Sequence, residues 1–360
     1  METINAAAQT KITFSSGGDF RKVLNSRVDE YFREHNLKPT GNWRMYLKTA
    51  LILLSMPVSY IWLVFYADTL LTALIAGFVL AQGFILVGLN IMHDGNHGSY
   101  SSNKKINSLM GFTLDLAGGS NLIWRQKHNI LHHTYTNIHG VDEDLHTSGV
   151  LRLSPNQEKR SWHRFQHLYA LLAYGFLTIT WVLTNDLRRL VAGRILDYRL
   201  PRASRSDLTV LFFGKACYLG YMLVLPLFLH SFLHVAIAFV GMHIVQGVTL
   251  SLVFQLAHAM GENSFPKPAD EKRTIDNEWA AHEVETTANF APKNKLATLY
   301  LGGLNFQIEH HLFPKVCHVH YPALGKIVEK TCADFSLPYI SYPTVRAALV
   351  AHFRFLRAMG

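Results

Sequence analysis

Hydrophobic residues are concentrated in two long stretches of this chain that are almost free of charge. Between Ala50 and Met92 the only charged residue is Asp68, and residues 216–261 contain none. Each stretch exceeds forty residues, whereas one membrane-spanning helix needs roughly 20 apolar residues. Buried helical pairs of a soluble domain are the alternative, but such cores are rarely so long without charge. The pattern therefore predicts two membrane hairpins, with spans at about residues 49–66, 69–92, 208–229 and 232–257.

A fifth uncharged segment, residues 166–185, decides the predicted topology. The loop that follows it, between Asp186 and Asp207, holds six arginines. If residues 166–185 crossed the membrane, these arginines would lie on the face opposite the basic N-terminus. Short cytoplasmic loops are the ones that carry excess Lys and Arg. We therefore place residues 166–185 in the membrane interface, where aromatic residues are favoured, and expect four spans with both termini in the cytoplasm.

The chain divides into a polar N-terminal segment, residues 1–43, and one domain, residues 44–360. An amphipathic pattern predicts a helix from about Phe20 to Glu34. The N-terminus lacks the hydrophobic region of a signal peptide, so the first span is expected to remain as an anchor. The expected fold is an all-α integral membrane protein, with four transmembrane helices in two hairpins and a cytoplasmic helical cap that carries the histidine clusters described below.

Composition narrows the functional classes. Hydrophobic residues make up 49% of the chain, charged residues 16%, and the formal net charge is +9. The sequence contains no zinc-finger spacing and no aromatic-basic RNA motif, so nucleic acid is not expected as a partner. The positive charge fits the cytoplasmic bias of membrane loops instead. The three cysteines are few, odd in number and widely separated, so they predict neither a disulfide framework nor a redox pair.

Three histidine clusters lie near the ends of the predicted spans. His93 and His97 follow the second span with i, i+4 spacing, which places both on one face of a helix, where they can bind one metal ion. The other candidates are His128, His132 and His133 in the second cluster, Gln307, His310 and His311 in the third, and His258 at the end of the fourth span.

The predicted topology gathers these side chains on one membrane face. Eight imidazoles and one amide are too many for one tetrahedral ion and suit two adjacent ions. Imidazole ligands alone do not identify the metal, because zinc, copper, iron and nickel all bind imidazole. A metal transporter or receptor is an alternative class, but transport places polar ligands within the spans. Here the clusters lie beyond the span ends.

The motifs HDGNH, HNILHH and QIEHH, which begin at His93, His128 and Gln307, resemble the three histidine boxes of the membrane fatty-acid desaturase superfamily. Their order, their separation by a hairpin and the four-span layout match as well, so the resemblance covers nearly the whole chain after Thr40. It implies a non-haem di-iron centre that activates oxygen and removes two hydrogens from an acyl chain. By position, it assigns metal binding and catalysis to His93, His97, His128, His132, His133, His258, His310 and His311.

Gln307 stands where many family members have a histidine. Glutamine at this position resembles the front-end desaturases, which insert a double bond between an existing one and the carboxyl end. The resemblance places Gln307 in the metal site, either as a ligand or as a group that orients a water. Acidic neighbours of the boxes are expected to fix the imidazole tautomers. These candidates are Asp94, Asp142, Glu143, Asp144 and Glu309.

The resemblance also implies partners: a fatty acyl substrate carried by CoA, acyl-carrier protein or an intact lipid, together with oxygen. An HPGG haem-binding motif and a Rossmann glycine pattern are absent from the sequence. A separate electron donor such as ferredoxin or cytochrome b5 is therefore expected. A histidine-box lipid hydroxylase or ketolase is the closest alternative.

Most of the notable residues outside the three boxes are expected to have structural roles. Lys215, within the third span, is expected to extend its ammonium group to the cytoplasmic end. Five further histidines are expected to be structural or to support the ligands, and one of them, His282, is also a possible ligand. These histidines are His139, His146, His282, His318 and His320.

Overall fold

The computed structural model describes residues 12–268 and 273–360, and most of them are helical. Within these ranges, four helices are long and apolar enough to cross a membrane: Trp43–Tyr66, Leu70–His97, Arg205–Leu229 and Phe232–His258, here called spans 1 to 4. Each overlaps one predicted span. The predicted all-α integral membrane fold with four candidate spans is therefore confirmed.

Each span is preceded by a residue whose side chain accepts hydrogen bonds from the first backbone N–H groups of the helix. Asn42 caps span 1, and Ser231 caps span 4. Thr69 and Ser204 form reciprocal capping boxes at spans 2 and 3. Span 2 ends at His97, and the next residue, Gly98, takes a left-handed conformation that favours glycine. The helix therefore extends through the first histidine box and stops there.

The spans pack through one shared apolar core and expose apolar residues on their outer faces. In that core, Phe84 of span 2 contacts Tyr218 of span 3, which contacts Phe239 of span 4. The outward faces carry large exposed apolar side chains, such as Leu54, Leu71, Phe228, Phe232 and Ile237. A surface of this kind is stable against lipid and would be unfavourable in water.

Two helices, Ser161–Gly175 and Leu177–Ala192, meet at a bend of 50°. They cover the segment that the sequence places in the interface, and their geometry is also that of one broken span. The pair packs closely on span 4, because a Cβ atom at Gly247 would lie 2.5 Å from the carbonyl oxygen of Gly175. The interfacial position stays a prediction.

Shorter elements join the spans. The predicted N-terminal helix is present at Phe20–Glu34, and it buries Phe20, Leu24 and Val28 against the C-terminal part of the chain. The other helices are Lys104–Leu116, Asn121–Trp124, Arg125–His132, His133–Tyr135, Glu143–Leu145, Trp279–Glu285, Lys295–Tyr300, Gln307–Leu312, His318–His320, Tyr321–Asp334 and Val345–Met359. The strand pairs are Thr13–Phe14 with Thr274–Ile275, Arg194–Ile195 with Tyr198–Arg199, and Asn289–Phe290 with Ser341–Tyr342.

The prediction for Lys215 is wrong. Its ammonium group is buried and donates hydrogen bonds to the carbonyl oxygens of Gly118 and Val182, each at 2.8 Å. It also lies 3.1 Å from a carboxylate oxygen of the fully buried Asp186. In the sequence, Asp186 directly follows residues 166–185 and lies far from Lys215. The fold brings the helix Leu177–Ala192, which carries Asp186, against span 3. Lys215 thus has an internal partner and does not extend to the membrane surface.

Candidate metal centre

Four histidines from three elements form the first buried group. Span 2 provides His93 and His97, the helix Arg125–His132 provides His128, and the helix Gln307–Leu312 provides His310. Each offers one ring nitrogen, and these four atoms lie within 4.8 Å of one another. The i, i+4 spacing predicted for His93 and His97 is present on one continuous helix.

A second buried group lies beside the first. It contains His132, His258 at the end of span 4, and His311, again with one ring nitrogen from each within 4.8 Å of the others. His133 lies between the two groups. Its Nε2 atom is 3.2 Å from Nε2 of His128, and its ring stacks on that of His311 with 4.5 Å between centroids. The structure thus brings together all eight histidines predicted from sequence.

The helix Arg125–His132 has π-helical winding, in which backbone hydrogen bonds join residues i and i+5. One turn therefore holds more residues than an α-helical turn. This widening allows His132 and His133, at i+4 and i+5 from His128, both to face the histidine groups. The adjacent pair is thereby divided, with His132 in the second group and His133 between the two.

Several buried ring nitrogens have no hydrogen-bond partner among the described residues. A buried polar atom without a partner is costly, and most such atoms in folded proteins are satisfied. Here they occur together, so a shared ion in each group would satisfy several at once. Among the eight predicted ligands, the unpaired atoms are Nε2 of His93, His97, His310 and His311, and Nδ1 of His133 and His258; outside both groups, Nε2 of His282 and Nδ1 of His167 are also unpaired. The residues therefore fit a pair of metal ions.

The Nδ1 atoms of three histidines have hydrogen-bond partners outside the two groups. Nδ1 of His132 donates to Asp142 at 3.2 Å, and Nδ1 of His311 donates to Glu283 at 2.7 Å. Nδ1 of His310 lies 3.2 Å from the hydroxyl of Tyr321. In the two carboxylate pairs the proton is on Nδ1, so Nε2 keeps a free lone pair, the usual arrangement at metal-binding histidines.

Electrostatics also keep most of these imidazoles neutral. Burial lowers the pKa of His128, His133, His310 and His311 well below the usual value, and neighbouring imidazoles lower each pKa further. Neutral imidazole is the form that binds metal ions. His132 differs: burial lowers its pKa, but Asp142 and Asp144 together raise it above the usual value.

The five acidic candidates have different partners. Asp142 contacts an imidazole directly, Asp144 lies 3.5 Å from Nδ1 of His132, and Asp94 lies 4.0 Å from Nδ1 of His93. The other two candidates do not orient imidazoles: Glu143 accepts hydrogen bonds from Arg189, and Glu309 accepts them from Asn289 and Tyr339. Burial raises the pKa of Glu309 to about 7.

Glu283 was missed by the sequence reasoning. It lies on the helix Trp279–Glu285, is fully buried, and accepts hydrogen bonds from both His311 and the hydroxyl of Thr136. Burial raises the pKa of Glu283 well above its usual range. No local pattern points to it, because its partner His311 lies in a distant segment. On the same helix, the indole N–H of Trp279 donates to the carbonyl oxygen of His133.

The remaining candidates lie around the two groups. Gln307 is buried in the first turn of the helix that carries His310 and His311. His282 is buried beside Phe14, with 5.0 Å between ring centroids, and belongs to neither group. His139 and His146 are exposed, whereas His318 and His320 are buried.

Comparison with known proteins adds an independent finding. The model of the fatty acid desaturase family matches residues 68–343. The chain is 40% identical over 351 residues to an sn-1 linoleoyl-lipid 6-desaturase from Synechocystis sp., covering 97% of this chain and 98% of that protein. It is 38% identical over 348 residues to an acyl-lipid (8-3)-desaturase from Physcomitrium patens, covering 95% of this chain and 72% of that protein. It is 30% identical over 354 residues to a Delta(5) fatty acid desaturase from Dictyostelium discoideum, covering 96% of this chain and 76% of that protein.

Proposed function

The chain belongs to the fatty acid desaturase family and is an oxidoreductase of that class, and from this premise we propose that it is an oxygen-dependent, di-iron desaturase of front-end type. The observation that carries the proposal is the pair of adjacent histidine groups with unpaired buried ring nitrogens. Front-end regiochemistry draws support from the glutamine at position 307. It also draws support from relatives whose names specify 6- and (8-3)-desaturation.

Two non-haem iron ions fit the two groups. One ion would be bound by His93, His97, His128 and His310, and the other by His132, His258 and His311. His133 adds a nitrogen between them, and Gln307 either binds directly or orients a water. When bound, the irons supply the oxygen activation that breaking a methylene C–H bond requires and that no side-chain base provides.

The chain's own residues orient and shield this chemistry. Asp142 and Glu283 fix the tautomers of His132 and His311, so that Nε2 of each faces the second group. Trp279 fixes the backbone at His133 through its indole N–H. Nearly all of the ligand side chains are buried, so bulk water has little access to the site. These features favour oxygen chemistry that is sheltered from bulk water.

The substrate proposed is an acyl chain of a lipid that already contains a double bond, because two similar proteins are named for action on acyl lipids. CoA and acyl-carrier protein are the other possible carriers. The electrons would come from a separate donor such as ferredoxin or cytochrome b5. Residues 44–360 would form the desaturase domain, with the site and both termini cytoplasmic and residues 166–185 in the interface.

The test is the fatty-acid profile of an expressing host, with and without a polyunsaturated precursor. New double bonds on the carboxyl side of an existing one, formed only with oxygen present, would support the proposal. Hydroxylated or keto chains without new unsaturation would contradict it and favour the hydroxylase or ketolase alternative. Double bonds on the methyl side would contradict the front-end assignment alone.

A further inference from the structure

A buried polar cluster lies next to the first histidine group and contains none of its members. Asp94 at the end of span 2 meets Cys317 and His318, which lie at the start of the short helix His318–His320 after the third histidine box, and all three are buried. Lys48 of span 1 reaches the same place: its Nζ atom lies 2.7 Å from Oδ1 of Asn90 and 2.8 Å from Nε2 of His318. Segments far apart in the sequence thus meet beside one proposed ligand.

The hydrogen bonds in this cluster have one consistent direction. A lysine ammonium group has donors and no acceptor, so Nε2 of His318 must accept from Lys48. The proton of His318 is therefore on Nδ1, which donates to Oδ2 of Asp94 at 2.8 Å. The Cys317 thiol donates to the same oxygen at 2.9 Å. Oδ2 of Asp94 therefore accepts two hydrogen bonds. The other carboxylate oxygen, Oδ1, lies 4.0 Å from Nδ1 of His93.

The spacing of Asp94, Cys317 and His318 would also suit a third metal ion. The hydrogen bonds argue against one. A metal ligand must offer a lone pair, whereas Nδ1 of His318 carries a proton and its Nε2 accepts from Lys48. The cation that belongs to this cluster is therefore the ammonium group of Lys48.

We propose that Lys48 and His318 are positioning residues for the first iron ion. They hold the Asp94 carboxylate beside Nδ1 of His93, which favours the proton on that nitrogen. Nε2 of His93, which is buried and unpaired, then keeps its lone pair toward the first group. This inference rests on the proposed di-iron function. It concerns only the first of the two ions, because the contacts from Lys48 through His318 and Asp94 lead to His93.

Metal binding gives the direct test. The full-length protein is purified in detergent, stripped with a chelator and titrated anaerobically with Fe(II), and Mössbauer spectra resolve the two sites. In the wild type, two ions bind per chain. In His318→Phe, which removes both hydrogen bonds, affinity at the first site should fall about 10- to 100-fold. The second site should keep its affinity and its spectrum.

Three matched variants sharpen this test. Lys48→Met should produce the same selective loss. His318→Asn should restore most of the affinity, since its amide N–H replaces the Nδ1–H donor to Asp94. His320→Phe is the control, because His320 is also buried and only two residues away, but it lies near the carbonyl oxygen of Thr40 instead. Its affinities should match the wild type.

The outcomes separate the two proposals. If the wild type binds no pair of ions, the di-iron proposal fails, and the inference fails with it. If the wild type binds two ions and folded His318→Phe binds both normally, only the positioning role is overturned. Equal weakening of both sites would also overturn it, because that result indicates a general structural role. If His318→Phe does not fold, the Lys48→Met result decides.

Discussion

Nδ1 of His311 lies 2.7 Å from Oε2 of Glu283, and both side chains are completely buried. This contact joins the third histidine box to the helix Trp279–Glu285. It parallels the contact of Asp142 with His132, so two members of the second histidine group are each oriented by a carboxylate. The second group therefore has its own supporting residues, different from the Asp94 cluster beside the first.

Replacing Glu283 should weaken metal binding at the second group. Glu283→Leu removes the acceptor for Nδ1 of His311, so we expect iron affinity at that site, and product formation, to fall about 10- to 100-fold. Glu283→Gln keeps an acceptor oxygen without the charge, so its iron affinity and product yield should lie between those of Glu283→Leu and the wild type. Iron content and product yield measure the effect. Glu285→Gln, two residues away and partly exposed, is the control; an equal loss there would refute a specific role.

His310 offers the most direct test of the site itself. His310→Ala should abolish the unsaturated product, because the first group then retains three of its four imidazoles. Insertion into the membrane should be unchanged, since His310 lies outside the four spans. Product analysis is paired with membrane fractionation. His139→Ala is the matched control, because His139 is exposed and belongs to neither group. Full activity of His310→Ala would exclude this site as the catalytic centre.

The spans and the eight histidines were predictable because their signals are local. An uncharged stretch of more than forty residues has few alternatives to membrane hairpins, and i, i+4 spacing indicates one helical face. The division of His132 from His133 was not predictable, because it depends on π-helical winding. Glu283 and Asp186 were also beyond local pattern: each meets its partner, His311 or Lys215, through the packing of distant segments.

The loss of activity on metal removal should be reversed by Fe(II) and not by Zn(II). Chelation of the purified protein should eliminate desaturation, and Fe(II) should restore it. Zn(II) should bind the same imidazoles without restoring activity, because zinc has no redox chemistry. Oxygen-dependent product formation is measured with the metal content of each sample. Activity in samples that contain no iron would contradict the di-iron proposal.

Breaking the buried pair of Lys215 and Asp186 should be strongly destabilising. Lys215→Met removes the nearest cation of the fully buried Asp186 and leaves it, among the described residues, only Arg189, 3.9 Å away. This change should lower the free energy of unfolding by up to about 3–5 kcal/mol. Adding Asp186→Asn removes the stranded charge, keeps an oxygen for the indole N–H of Trp181, and should recover part of the loss. Unfolding in detergent measures both. A double variant less stable than Lys215→Met would contradict this account.

The arginine-rich loop gives the decisive test of topology. Arg202 is exposed in that loop, and Asp68 is exposed between spans 1 and 2. With four spans and cytoplasmic termini, the two positions lie on opposite sides of the membrane. In a Cys217→Ala background, Asp68→Cys should react with a membrane-impermeant maleimide in intact cells. Arg202→Cys should react only after the membrane is opened. The remaining cysteines, Cys317 and Cys332, are buried and should stay unlabelled. Labelling of Arg202→Cys in intact cells, with Asp68→Cys also labelled, would show that the bent segment crosses the membrane as a fifth span.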